Sequence, residues 1–171
     1  MKILCAIDFS LASTSLLEAA ARLAGECHAE LGLLHVLPPE GTEIDLHPSL
    51  GDRFNPPPKY YKVPGTAEKG QNVLLFHDKR QQMLEAMVAW LQERQVTATF
   101  TVIHEVGDMV GSMLEHSEKT QADIIMLGAK RKAALQRMVT GSTCNEILKR
   151  STKPVLIVPA SSHKKDDDQE N

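Results

Sequence analysis

Gly128-Ala129-Lys130-Arg131, followed nine residues later by Gly141-Ser142-Thr143, holds the residue types that can bind an anion. Glycine lets a ligand approach backbone N–H groups, and hydroxyls at a helix amino end add further donors. A phosphate is the anion this chemistry suits best. A plainer account uses the same residues as punctuation. Gly128 then makes a tight strand-to-loop turn, Gly141-Ser142 is a flexible residue followed by an N-cap, and Thr143 with Glu146 forms a capping box.

Other chemistry is thinner. Cys144 and Arg150 have the C-x5-R spacing of a phosphatase loop, and a helix start lowers a thiol's pKa. The intervening Asn145–Lys149 has a helical pattern, which would carry Arg150 nearly two turns away from the sulfur instead of wrapping it around an oxyanion. The seven histidines include no i, i+4 pair with carboxylate company, so no metal site is expected. Neither Gly-Lys-Ser/Thr nor GxGxxG occurs. Fast hydrolysis needs a metal-binding carboxylate and a water-positioning base, and Asp8 is the sole obvious candidate, so no catalytic residue is assigned.

The elements that must position these residues fit one domain of 171 residues, 42% hydrophobic and 24% charged. A net charge of -3 disfavours nucleic acid as a partner, although Lys130, Arg131, Lys132 and Arg137 cluster locally and suit a small target. Cys5, Cys27 and Cys144 form no CxxC and read as free thiols in a reducing compartment. The first apolar run is too short for a signal peptide and Asp8 interrupts it; no run is long enough to span a bilayer. The expected location is cytoplasmic, away from membranes.

Apolar patterning predicts strands at 2–7, 30–37, 96–103, 122–127 and 154–159. Helices alternate with them. The first carries Leu16, Leu17, Ala20, Leu23 and Ala24, with Ser10, Ser13 or Ser15 as its cap; the next starts at Asp78 and carries Met83, Leu84, Met87, Val88, Trp90 and Leu91. Another starts at Asp108 and carries an apolar face of Met109, Val110, Met113 and Leu114, and the last follows the glycine loop with Ile147 and Leu148 inward. Between about 38 and 77 the pattern dissolves around seven of the nine prolines, a loop insertion with a short helix near 66–76 that Phe54, Tyr60 and Tyr61 would pack down. Residues 161–171 form a polar tail expected to be disordered. This order predicts an α/β domain over 1–160, an open, doubly wound five-stranded parallel sheet with helices on both faces. Ligands of such sheets bind beyond the strands' carboxyl ends, where Asp8, Val36 and Gly128 would meet.

In this order, Ile3–Ser10, Leu33-Leu34-His35-Val36, Val106-Gly107-Asp108, Ile124–Gly128, Gly141-Ser142-Thr143 and Pro154–Pro159 resemble the universal stress protein family over residues 1–159. Its ATP-binding branch has a loop of Gly, two residues, Gly, nine residues, Gly, then Ser or Thr. Gly128, Gly141 and Ser142 match that loop, and Arg131 stands at the middle glycine. The resemblance implies that Asp8 contacts the adenosine portion, Val36 presents backbone groups to adenine and Leu127 lines the pocket. Gly128, Gly141, Ser142 and Thr143 would hold phosphates. Arg131 either closes the pocket or clamps a phosphate through its planar fork. His28-Ala29 departs from the glycine common at the end of the family's first helix.

The implied ligand is ATP or AMP, with magnesium as its companion ion, in a stress-response binding module that is non-catalytic or weakly hydrolytic. A homodimer through strand 154–159 and an unknown protein partner are also implied. Two rival readings are an interaction module of the same family that binds no nucleotide, and an enzyme that handles phosphoanions through Cys144.

Overall fold

The computed structural model describes residues 1–37, 50, 53–54, 68–104, 107–129 and 142–161, with side chains of the helix at 68–92 from residue 80 onward. The strands are β1 (Lys2–Ala6), β2 (Glu30–Leu37), β3 (Ala98–His104), β4 (Ile124–Ala129) and β5 (Val155–Pro159). The helices are α1 (Leu11–Cys27), α2 (Glu68–Gln92), α3 (Met109–Lys119) and α4 (Ser142–Arg150). All strand pairs are parallel, in the order β3-β2-β1-β4-β5. This is the doubly wound sheet expected from the alternation of patterns, with its winding reversed at β1.

Both faces are covered, which is why the central strands are nearly continuous apolar runs rather than alternating ones. On one face Ile3, Cys5, Leu31 and Leu33 meet α1 and α2 through Leu16, Leu17, Met83, Leu84 and Met87. Burying a side chain as fully as Leu16, 1% exposed, stabilises by about 1.5–3 kcal/mol. On the other face Leu4, Leu34, Ile125 and Leu127 meet Val110, Met113 and Ile147. At the β3 edge, Phe100 and Val102 pack towards α1 and α2 while Thr99 is exposed, as the alternation predicts.

Register brings the functional ends together. Ala6 is level with Leu34 of β2 and Leu127 of β4, and beyond it the Ile7 N–H donates to the Leu34 carbonyl at 2.8 Å. Asp8, Val36 and the end of β4 therefore stand at the same height, at the carboxyl edge of the sheet.

Some local expectations change. Asp78 does not start a helix: α2 runs unbroken from Glu68 to Gln92, so the short helix near 66–76 and the helix from 78 are one. No proline interrupts 68–92, and an interior aspartate costs only tenths of a kcal/mol in helix propensity. Ser10 is the N-cap of α1, but its side chain makes no capping bond. Thr143 is the second residue of α4 rather than its cap.

The described part of the proline-rich insertion is anchored, with Leu50 and Phe54 in the core and Arg53 paired with Glu18. Arg53 and Arg94 lie 4.9 and 3.9 Å from the centroid of the Trp90 ring, and Phe54 meets that ring edge-on. Tyr60, Tyr61 and the tail at 162–171 lie outside the described residues.

His28 closes α1 in the left-handed region, at φ 51°, with its own N–H and that of Ala29 turned back to Gly25 and Ala24. A residue with a Cβ pays about 1–2 kcal/mol for that conformation and glycine does not. The greater chain entropy of unfolded glycine offsets part of the gain. His28→Gly should therefore raise stability by about 0.5–1 kcal/mol, read as a higher midpoint in urea with an unchanged slope.

Candidate functional site

The turn from β1 into α1 sets the first wall of the site. Asp8 Oδ1 accepts the Ser10 N–H at 2.9 Å and the Ser13 hydroxyl at 2.8 Å, so the carboxylate is held by the first turn of the helix it precedes. Phe9 between them adopts φ 59°, uncommon for a bulky residue, and its ring is fully buried against the edge of His35 at 4.7 Å. His35 is buried and donates from Nδ1 to the Ile7 carbonyl at 2.8 Å, fixing the proton on that nitrogen. A strained turn, a packed ring and a buried hydrogen bond thus fix where Asp8 points.

Gly128 lies inside β4, level with Val158, and is not part of a turn. A Cβ built there would stand 2.9 Å from Cβ of Ala12, closer than real side chains approach. The glycine lets the start of α1 lie against the end of β4, and this packing brings Asp8 beside the amino end of α4.

The result is a hollow of about 300 Å³ lined by Ala6, Ile7, Asp8, Leu34, His35, Val36, Met109, Met113, Leu127, Gly128, Thr143 and Cys144. It lies beyond the carboxyl ends of β1, β2 and β4, at the point where the winding reverses, which is where open α/β sheets hold ligands. Its walls are mostly apolar, with Asp8 and Thr143 as polar fixed points, the usual mixture of a small-molecule site. A second hollow of about 280 Å³ lies at the amino ends of the strands, between Thr97, Thr99 and the last turn of α3.

Of the residues expected at the site, Asp8, Val36, Leu127, Gly128 and Thr143 line this one hollow. Ser142 opens α4 beside them and is exposed. Arg131 and Gly141 lie outside the described residues. Met109 and Met113 line the hollow too, although the sequence reads them simply as an apolar helix face. A face that serves the core at one end and a cavity at the other has the same periodicity throughout.

Cys144 and Arg150 do not form a phosphatase loop, because one helix carries them to its opposite ends. The Cys144 thiol donates weakly to the Gly128 carbonyl at 3.6 Å, and burial, reinforced by the nearby Asp8 carboxylate, pushes its pKa up. This reverses the expectation that the helix start would lower it. Arg150, at the far end of α4, makes two bonds to Asp108, at 3.1 Å and 2.7 Å. Asp108 also caps α3 by accepting the Gly111 N–H at 2.9 Å. A Cβ on Gly111 would come within 2.5 Å of that carboxylate, so glycine there makes room for the clamp.

The Arg150 bond, followed by the Gly111 N–H, lowers the Asp108 pKa from 3.8 to about 2. The unfolded chain then holds this proton more tightly than the folded one. The pair's stabilisation is complete above the ordinary value and is lost as pH falls from 3.8 towards about 2. Asp108→Asn lacks this titration, so the difference between its urea midpoint and that of the wild type should be largest near neutrality. It should shrink across that acid window, and added salt should weaken it, because both partners are half exposed.

The universal stress protein family model matches residues 1–159. The universal stress protein YxiE of Bacillus subtilis is 29% identical over 158 residues, covering 92% of this chain and 97% of that protein. A crystal structure of a universal stress protein family member from Burkholderia pseudomallei covers 93% of this chain and 96% of its own, with 21% identity and a TM-score of 0.61. The universal stress protein of Archaeoglobus fulgidus in complex with dAMP covers 92% and 97%, with 15% identity and a TM-score of 0.59. Among the described residues no helix is long and apolar enough to cross a membrane. The fold, the strand order and the match across nearly the whole chain together place it in the universal stress protein family.

Proposed function

We propose that this chain is a stress-response binding module whose hollow takes an adenine nucleotide, ATP or AMP. The base packs on the apolar wall near Val36 and Leu127, and the sugar meets Asp8. The phosphates lie towards Ser142 and Thr143 at the amino end of α4, where N–H groups and the helix dipole favour an anion. One observation carries this reading: residues far apart in sequence, Asp8, Val36, Leu127, Gly128 and Thr143, line a single hollow at the switch point of the sheet. The solved complex of a relative with dAMP supports it. Arg131 and Gly141 would complete the phosphate end, and magnesium would accompany ATP there.

The role is binding rather than turnover. Asp8 is the one carboxylate among the described residues lining the hollow, and its Oδ1 is already committed to Ser10 and Ser13. Phosphoryl transfer asks for a metal-holding carboxylate and a water-positioning base together. A bound nucleotide would alter the surface around residues 128–143, and a protein partner would read the change. The reading places the protein in the cytoplasm.

A homodimer through β5 belongs to the same proposal. β5 is an edge strand, flanked by Pro154 and ending at Pro159, and its Leu156 is 42% exposed. Titration calorimetry with ATP and with AMP tests the site, with one saturable event per chain expected. If neither nucleotide gives heat, the nucleotide reading falls and the interaction-module reading replaces it. Sedimentation should give a dimer mass that Leu156→Glu reduces, and a monomeric wild-type protein would remove the dimer.

A further inference from the structure

Three sulfur-bearing side chains, Met109, Met113 and Cys144, converge on the one hollow from α3 and α4. They differ in exposure. Met109, the first residue of α3, is partly exposed, whereas Met113 is 5% and Cys144 6% exposed. The other described methionines lie elsewhere: Met83, Met87 and Met126 are sealed in the opposite core, and Met1, 48% exposed, joins the amino end of the sheet through its carbonyl.

We propose that Met109 is a site of oxidative modification, and that its sulfoxide closes the hollow to ligand. The ligand part rests on the nucleotide reading above. The oxidant is a small peroxide, hydrogen peroxide in the simplest case. A lone pair on the thioether sulfur attacks one peroxide oxygen, the O–O bond breaks, and the departing hydroxide takes up the remaining peroxide proton as water. Sulfur is oxidised by two electrons to the sulfoxide and peroxide is reduced to water, so nothing else is consumed.

The neighbouring cysteine does not compete well for the same oxidant. A thiol reacts as its thiolate, and burial together with Asp8 keeps Cys144 protonated. A thioether needs no deprotonation, so Met109 reacts at neutral pH while Cys144 waits. The product replaces a soft apolar contact with a strong S=O dipole on a mostly apolar wall. An unpaired polar group on a ligand-facing wall should weaken nucleotide binding about tenfold. Sulfoxide reductases can reverse the change.

The test treats the full chain with graded hydrogen peroxide, maps added oxygen by peptide mass spectrometry and measures ATP affinity on the same samples. Cys27 and Met1, both exposed and neither lining the hollow, should oxidise first without effect. Met109 should follow, ahead of Met113 and Cys144, and affinity should fall in step with the Met109 sulfoxide and return after treatment with methionine sulfoxide reductase. Met109→Leu, compared with its own untreated sample, should lose no affinity at the same dose.

Oxygen appearing on Cys144 before Met109 would overturn the proposal. So would full Met109 sulfoxide with unchanged affinity, or a Met109→Leu protein that loses affinity as the wild type does. An untreated protein that binds no ATP sinks the nucleotide reading instead, a separate result visible before any peroxide is added.

Discussion

Replacing Asp8 with alanine should weaken ATP binding by roughly tenfold to a hundredfold, the equivalent of one hydrogen bond to a charged group. The carboxylate faces two ways. Oδ1 is taken by Ser10 and Ser13, while Oδ2 has no hydrogen-bond partner among the described residues, and Asp8 lines the hollow. Loss of the Oδ1 bonds should also cost about 1 kcal/mol of stability, a fall of about 2–4 °C in Tm for a chain of this size.

Ser13→Ala separates the two effects. It removes one bond to Oδ1 and leaves Oδ2 in place, so it should lower Tm while changing affinity by less than about threefold. Calorimetry and thermal unfolding on the three proteins check this. An Asp8→Ala protein that binds ATP like the wild type would show that the residue merely caps α1.

Much of this arrangement was legible in the sequence because it depends on period and position. The five strands follow from apolar runs of the right length, and their alternation with helices leaves few topologies besides the doubly wound sheet. Once the order is known, Asp8, Val36 and Gly128 must stand at the same end of the sheet. What the residues could not reveal depends on contacts between elements. Gly128 reads as loop punctuation until Ala12 is seen 2.9 Å from the place its Cβ would occupy.

Arg150 likewise looked like half of a C-x5-R loop, whereas its partner Asp108 caps another helix. Met109 and Met113 carried no mark distinguishing cavity from core. Asp78 has the chemistry of a cap, but a cap requires the chain before it to leave the helix, and here α2 continues back to Glu68.

Gly128→Ala decides what that glycine is for. If it serves packing, the added methyl is forced against Cβ of Ala12, which is fixed to the α1 backbone and has no rotamer by which to escape. The helix must move or β4 must bend, an overpacking cost of about 1–3 kcal/mol. Ala12→Gly alone should cost about 1 kcal/mol through helix propensity. In the double variant the methyl simply changes owner, and the backbone of residue 12 lies 3.4 Å from it, an ordinary contact. The two changes should therefore couple by more than about 1 kcal/mol in favour of the double variant.

ATP affinity should follow the same pattern, because the turn that shifts carries Ser10 and Ser13, which hold Asp8. The opposite result would be equally informative. A Gly128→Ala protein as stable as the wild type but unable to bind ATP would mean that the missing side chain is reserved for the approach of a phosphate. The close contact with Ala12 would then be relieved by a small movement of α1.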